Sequence, residues 1–217
     1  MKIKICGIKN LEEARWAIAS GADFLGFNFY PPSPRAITVA ECCQITKVLR
    51  AESPHALLVG VFVNQSAAEI RHILERCDLD LAQLSGDEGL EDQEVLGERA
   101  YKALRISKTF QVLSLEERIY RRKTPPALLV DASVPGEYGG TGRPADWQVA
   151  AQIALARPIF LAGGLTPLNV AEAIRQVRPW GVDVASGVET APGKKDREKI
   201  TAFIENARQA FAELRME

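Results

Sequence analysis

Short apolar runs rich in β-branched and aliphatic residues recur along the chain, each followed by a loop and a longer stretch whose apolar positions repeat at helical spacing. The expected strands cover 2–6, 24–28, 57–62, 81–84, 101–105, 128–131, 159–162 and 182–185. The stretches between them open on capping signals, in which a short polar side chain accepts from a free backbone N–H and a Glu three residues on reaches back. Asn10 with Glu13, Thr38 with Glu41, Ser66 with Glu69 and Ser114 with Glu117 fit that arrangement. Thr166 before Pro167 predicts a cap with proline at the first helical position, where its missing N–H costs nothing. The last stretch places Ile200, Phe203, Ile204, Ala207, Phe211 and Leu214 on one helical face. The fourth helix, around 89–96, has the weakest pattern.

Strand and helix in alternation require parallel pairing, and right-handed crossovers then put the helices outside. The chain is 217 residues long, enough for eight compact units. The expected fold is therefore α/β, a single-domain (β/α)8 TIM barrel over 1–217. A doubly wound open sheet competes with it, but no GxGxxG follows the first strand. No stretch rich in Pro, Gly or Ser reads as a linker.

Charge removes several partners. Lys and Arg total 27 against 28 Asp and Glu, a net charge of -1. The densest basic run, Arg121, Arg122 and Lys123, is too short to hold a phosphate backbone by counterion release. No apolar stretch approaches the ~20 residues a membrane span needs, and MKIKICGIKN lacks the core of a signal peptide, so a cytoplasmic protein is expected. Cys6, Cys42, Cys43 and Cys77 lack paired CxxC spacing and are expected to be reduced thiols with no metal.

In such a barrel the site lies at the C-terminal ends of the strands. The groups expected there are Cys6, Arg35, Asp131, Gly163, Gly164, Ser186 and Gly187. The glycine pair and the Ser-Gly pair offer backbone N–H donors at close range, as a phosphate needs, although each alone would also suit a tight turn. Alternation does not say whether the Cys6 thiol points into the barrel mouth or packs as a small hydrophobe. Asp131 ends an apolar run, where a carboxyl either accepts from a loop or holds its proton in a drier site. Arg35 offers a planar fork suited to a carboxylate. Asp183 reads as a polar residue inside the barrel or as a site carboxylate. The glycine-rich loop at 136–147 is longer than a crossover needs and could fold over a ligand. His55 and His72 have no expected role, Cys42, Cys43 and Cys77 are expected to pack, and Lys194 and Lys195 read as a solvated turn.

With these residues assembled, the chain resembles the phosphoribosylanthranilate isomerase family along nearly its entire length. The resemblance rests on KICGI, GADFLGFNFYPPSPRAI, VGVFVN, LAQLSGDE, LLVDA, GEYGGTGRPADW, LAGGLTPLNV and GVDVASGVETAPGKKD, in that order. It implies a (β/α)8 enzyme of tryptophan biosynthesis without metal or organic cofactor. The implied reaction converts N-(5-phosphoribosyl)anthranilate to 1-(2-carboxyphenylamino)-1-deoxyribulose 5-phosphate. By the same resemblance Cys6 is the general base, Asp131 the general acid and Arg35 the holder of the anthranilate carboxylate. Gly163 and Gly164, with Ser186 and Gly187, fall in the phosphate loops, and Asp183 matches a site aspartate without an assigned role. One departure is visible: the family usually reads QLHG where this chain has Gln83, Leu84, Ser85 and Gly86.

The expected partner is a small phosphorylated substrate, with no nucleic acid and no membrane, and the chain is a monomer or homodimer. Two rivals differ in testable ways. A histidine-pathway aminoaldose isomerase needs a second phosphate site on the opposite side of the barrel, whereas the glycine-rich loops fall in one half. A non-catalytic barrel that binds a phosphometabolite would have lost its acid or base.

Overall fold

The computed structural model describes residues 1–106, 122–131 and 147–216. Eight parallel strands close into a barrel in sequence order. They are β1 (Lys2–Cys6), β2 (Phe24–Asn28), β3 (Leu57–Phe62), β4 (Leu81–Leu84), β5 (Ala100–Arg105), β6 (Leu128–Asp131), β7 (Ile159–Ala162) and β8 (Gly181–Val184). The described helices are α1 (Leu11–Ala19), α2 (Val39–Glu52), α3 (Ala67–Arg76), α4 (Leu90–Leu96), α5 (Trp147–Ala156), α6 (Val170–Val177) and α7 (Arg197–Glu213). A two-stranded hairpin of β9 (Glu189–Ala191) and β10 (Lys194–Lys195) lies between β8 and α7. The expected Ser114–Glu117 cap and most of the glycine-rich loop lie outside the described residues. Among the described residues no helix is long and apolar enough to cross a membrane.

Local chemistry accounts for the helix starts. Thr38 and Ser66 form complete capping boxes with Glu41 and Glu69. Asn10 accepts from the Glu13 N–H at 2.9 Å, but Glu13 reaches one residue further back, to Lys9 N–H. After β7 the helix begins later than expected, at Val170. The turn before it keeps cap logic: Thr166 Oγ1 accepts from Leu168 N–H, and Asn169 Oδ1 accepts from Thr166 N–H at 2.8 Å. The eighth strand starts and stops one residue earlier than expected, because Ala185 turns out of the ladder (φ -122°, ψ -77°). Gly181 joins the ladder instead, where a Cβ would stand 2.7 Å from the Phe160 ring.

Period-2 alternation sends one face of each strand into the barrel and the other against the helices. The larger apolar core lies between strands and helices, and a smaller one fills the barrel interior with Phe24, Val59, Tyr101, Leu129, Phe160 and Ala162. Phe24, Phe160 and Trp180 pack edge to face at 5.1 to 5.9 Å near the N-terminal ends of the strands, closing the floor. Polar residues are thereby left to the upper half of the interior.

Candidate active site

On β1 the inward positions include Lys4 and then Cys6, one step nearer the mouth. Lys4 is fully buried, and its Nζ donates to Asp183 Oδ1 at 2.8 Å and to Gln83 Oε1 at 2.9 Å across the barrel. Cys6 shares that face and is 8% exposed. On the neighbouring strand stands Gly26, where a Cβ would come 2.7 Å from the Cys6 sulfur. The sulfur therefore fills the space that a side chain on β2 would need. Burial pushes the Cys6 thiol up and Asp183 adds to this, while Lys4 and Lys195 pull it down without outweighing burial, so the thiol is held above the ordinary cysteine range.

Asp131 ends β6 on the face shared by Leu129, a member of the interior core, and pairs in register with Ala162. It is half-buried and so reaches the mouth. Between β6 and β1 run β7 and β8, and the loops that follow them occupy that arc of the rim. Gly163 and Gly164 both have positive φ, 93° and 64°. Gly187 lies in the 3-10 turn Ser186–Val188, where any Cβ would collide with the Leu165 carbonyl of the preceding loop. The glycine-rich loops after β7 and β8 thus touch each other, as one phosphate cradle requires.

Arg35 crosses to the same side. Its stem packs over Gly7, where a Cβ would meet Arg35 Cδ at 2.7 Å. Its Nε and Nη2 pair with Glu189 at 2.8 Å each, so the side-on edge of the guanidinium is taken and the end-on edge remains for another carboxylate. Glu189 also accepts from Lys195 Nζ at 2.8 Å, and Lys195 donates to the Ala185 carbonyl at 2.9 Å. Burial works against the Glu189 carboxylate, yet Arg35 and Lys195 outweigh it and hold the carboxyl below the usual glutamate range. The expectation of a solvated turn at Lys194 and Lys195 is corrected for the second residue: Lys195 is 3% exposed, because the β9–β10 hairpin folds it beneath the loop after β8.

Asp183 is a polar residue inside the barrel, paired with Lys4. Burial works to discharge Lys4, and Asp183 outweighs it, holding the ammonium above the usual lysine range. Ser85, at the family's usual histidine position, accepts from Gln83 Nε2 at 3.1 Å, and Gln83 Oε1 also accepts from the Tyr101 hydroxyl at 3.1 Å. His55 and His72 are exposed. Cys42 and Cys43 lie in α2 and Cys77 just past α3, all three as free thiols. Lys4, Gln83, Tyr101, Glu189 and Lys195 escaped the reading of the sequence. The signal for Gln83 was a polar residue inside an otherwise apolar strand, and for Lys4 its place two residues before Cys6 on the same strand face. Among the described residues no group of three or more His, Cys, Asp or Glu could hold a metal ion.

Comparison with known proteins points one way. The sequence model of the N-(5'phosphoribosyl)anthranilate (PRA) isomerase family matches residues 3–206. An N-(5'-phosphoribosyl)anthranilate isomerase of Magnetococcus marinus is 45% identical over 210 residues, covering 97% of this chain and 96% of its own. The crystal structure of phosphoribosyl anthranilate isomerase from Thermotoga maritima superposes with a TM-score of 0.85 at 40% identity, covering 96% of this chain and 99% of the other. A second structure, of such an isomerase in complex with reduced 1-(o-carboxyphenylamino)-1-deoxyribulose 5-phosphate, has a TM-score of 0.80 at 37% identity, with 96% and 99% coverage.

Proposed function

The chain belongs to the N-(5'-phosphoribosyl)anthranilate isomerase family, and on that premise we propose that Cys6 is its general base and Asp131 its general acid. It is an isomerase of tryptophan biosynthesis, converting N-(5'-phosphoribosyl)anthranilate to 1-(2-carboxyphenylamino)-1-deoxyribulose 5-phosphate. The observation that carries the residue assignment is the shared inward face of Cys6 and Asp131 at the barrel mouth, with the β7 and β8 loops on the arc between them.

In this reading the phosphate rests on the backbone of Gly163, Gly164, Ser186 and Gly187, and the anthranilate carboxylate meets the end-on edge of Arg35. Asp131 gives its proton to the ring oxygen of the aminofuranose. The C1–O bond breaks as the nitrogen lone pair forms a C1=N bond, leaving an iminium. The Cys6 thiolate then takes the C2 proton, and the C2–H electrons form C1=C2 while the C=N electrons return to nitrogen. The resulting enol-amine tautomerises to the ketone. Each proton transfer by a positioned group is typically worth about two to four orders of magnitude. The anchors at opposite ends of the substrate supply orientation. A related protein holding a reduced form of the product supports the substrate class. The enzyme would work in the cytoplasm as a monomer or homodimer.

The test is a coupled assay that generates phosphoribosylanthranilate in situ, run on wild type, Cys6→Ala and Asp131→Ala. Both variants are expected to fold and to lose most turnover. Near wild-type kcat in either removes that residue from the mechanism.

A further inference from the structure

A fully buried lysine is expensive, and an ion pair in a barrel interior is weak evidence for stability, since apolar side chains of similar volume often serve as well. The floor of this barrel is filled in that apolar way. Lys4 is the exception one level higher, and its surroundings are ordered. An ammonium carries three N–H donors. Two go to Asp183 and Gln83, at 2.8 and 2.9 Å, and Cys6 follows two residues along on the same inward face of β1. Gln83 is itself fixed from two sides, by the Tyr101 hydroxyl and by Ser85 Oγ. The ammonium of this β1 residue is thus held by β4 and β8, on the inward face that Cys6 shares.

We propose that Lys4 is a positioning residue for the isomerisation, the fixed positive charge over which the Cys6 sulfur sheds its proton to solvent and then accepts the substrate's C2 proton. The inference rests on Cys6 being the general base and names the group that makes a buried thiol serve as one. The charged and titratable groups facing the sulfur are Lys4 on its own strand, Asp183 on β8, Lys195 on β10 and the Tyr101 hydroxyl on β5. Glu189 and Arg35 stand behind Lys195, and β2 presents only Gly26. Burial outweighs the cations and holds the thiol above the ordinary cysteine range, so the positive charge beside it is what lowers the cost of losing its proton. Of the two cations facing the sulfur, Lys4 acts on it more strongly.

The test reads the sulfur directly and through turnover. Iodoacetamide alkylation is followed across pH by mass spectrometry of the Cys6 peptide, which keeps Cys42, Cys43 and Cys77 out of the signal. The pH profile of kcat/KM is measured on the same preparations. Lys4→Met is expected to raise the pH of half-maximal alkylation by about one unit or more, and the acidic limb of kcat/KM by the same amount. Lys4→Met with Asp183→Asn leaves no stranded carboxylate and remains available if the single variant fails to fold. It should move both curves in the same direction but less far, because Asp183 pushes the thiol the other way. Alkylation curves that stay in place in the folded variants overturn the role of Lys4 and leave Cys6 as base intact. A shifted alkylation curve with an unmoved acidic limb overturns the general-base assignment itself.

Discussion

Among the described residues three lysines are buried against carboxylates, and two of them, Lys4 and Lys102, are put to opposite uses. Lys4 meets Asp183 at 2.8 Å inside the barrel; Lys102 meets Glu88 at 2.6 Å on the outward side of β5. The partners beyond the ion pair separate them. Lys102 also donates to the Gly86 carbonyl, and Glu88 accepts from the backbone N–H groups of Asn64 and Gly86. That pair is spent on the main chain of the loops after β3 and β4, which it ties together. Lys4 is bound only by the side chains of Asp183 and Gln83, on the inward face where the candidate base lies. A buried salt bridge does not by itself say what it is for. Where its spare hydrogen-bonding capacity points does.

Removing the sulfur that Lys4 serves should separate the two regions most widely. Cys6→Ala is expected to lower kcat by about two to four orders of magnitude with a nearly unchanged melting temperature. A large loss of stability instead would make Cys6 a packing residue. Next in size, Lys102→Met strands the Glu88 carboxylate and should cost about 3–5 kcal/mol in urea denaturation. The pH limbs of kcat/KM in the folded fraction should stay where they are, and a shifted acidic limb would erase the contrast with Lys4.

Arg35→Ala should act on binding, raising KM by about one to two orders of magnitude, as expected for losing a charged hydrogen-bonding partner. Unchanged KM and kcat/KM would remove Arg35 from the anthranilate end. The smallest effect concerns a third pair. The Glu189 carboxyl lies below the ordinary glutamate value of about 4.3, so its contribution to stability is complete above that pH and disappears as pH falls through the folded value. Stability measured on the acid side should therefore fall less steeply in Glu189→Gln than in wild type; parallel curves would assign acid unfolding to other carboxylates.

What the sequence revealed follows the range of the interaction. Period-2 runs and capping residues act over a few positions, and Thr38, Ser66 and all eight strands sit where short-range chemistry puts them, within one residue at the ends. Cys6 and Asp131 were legible because each ends a strand. Lys4 lies on the face of Cys6 by simple alternation, but that this face is the inside depends on closure of β1 onto β8. The Arg35–Glu189 pair joins residues 154 positions apart. Lys195 was misread for the same reason: beside Lys194 and Asp196 it looks solvated, and only the hairpin that carries it under the β8 loop excludes water.

The collision that any side chain at Gly187 would have with the Leu165 carbonyl carries a lesson for redesign. The two halves of the proposed phosphate cradle are keyed to each other, so neither can be transplanted into a foreign scaffold alone. Anyone retargeting this mouth to a different anionic handle would have to exchange both segments as a matched set.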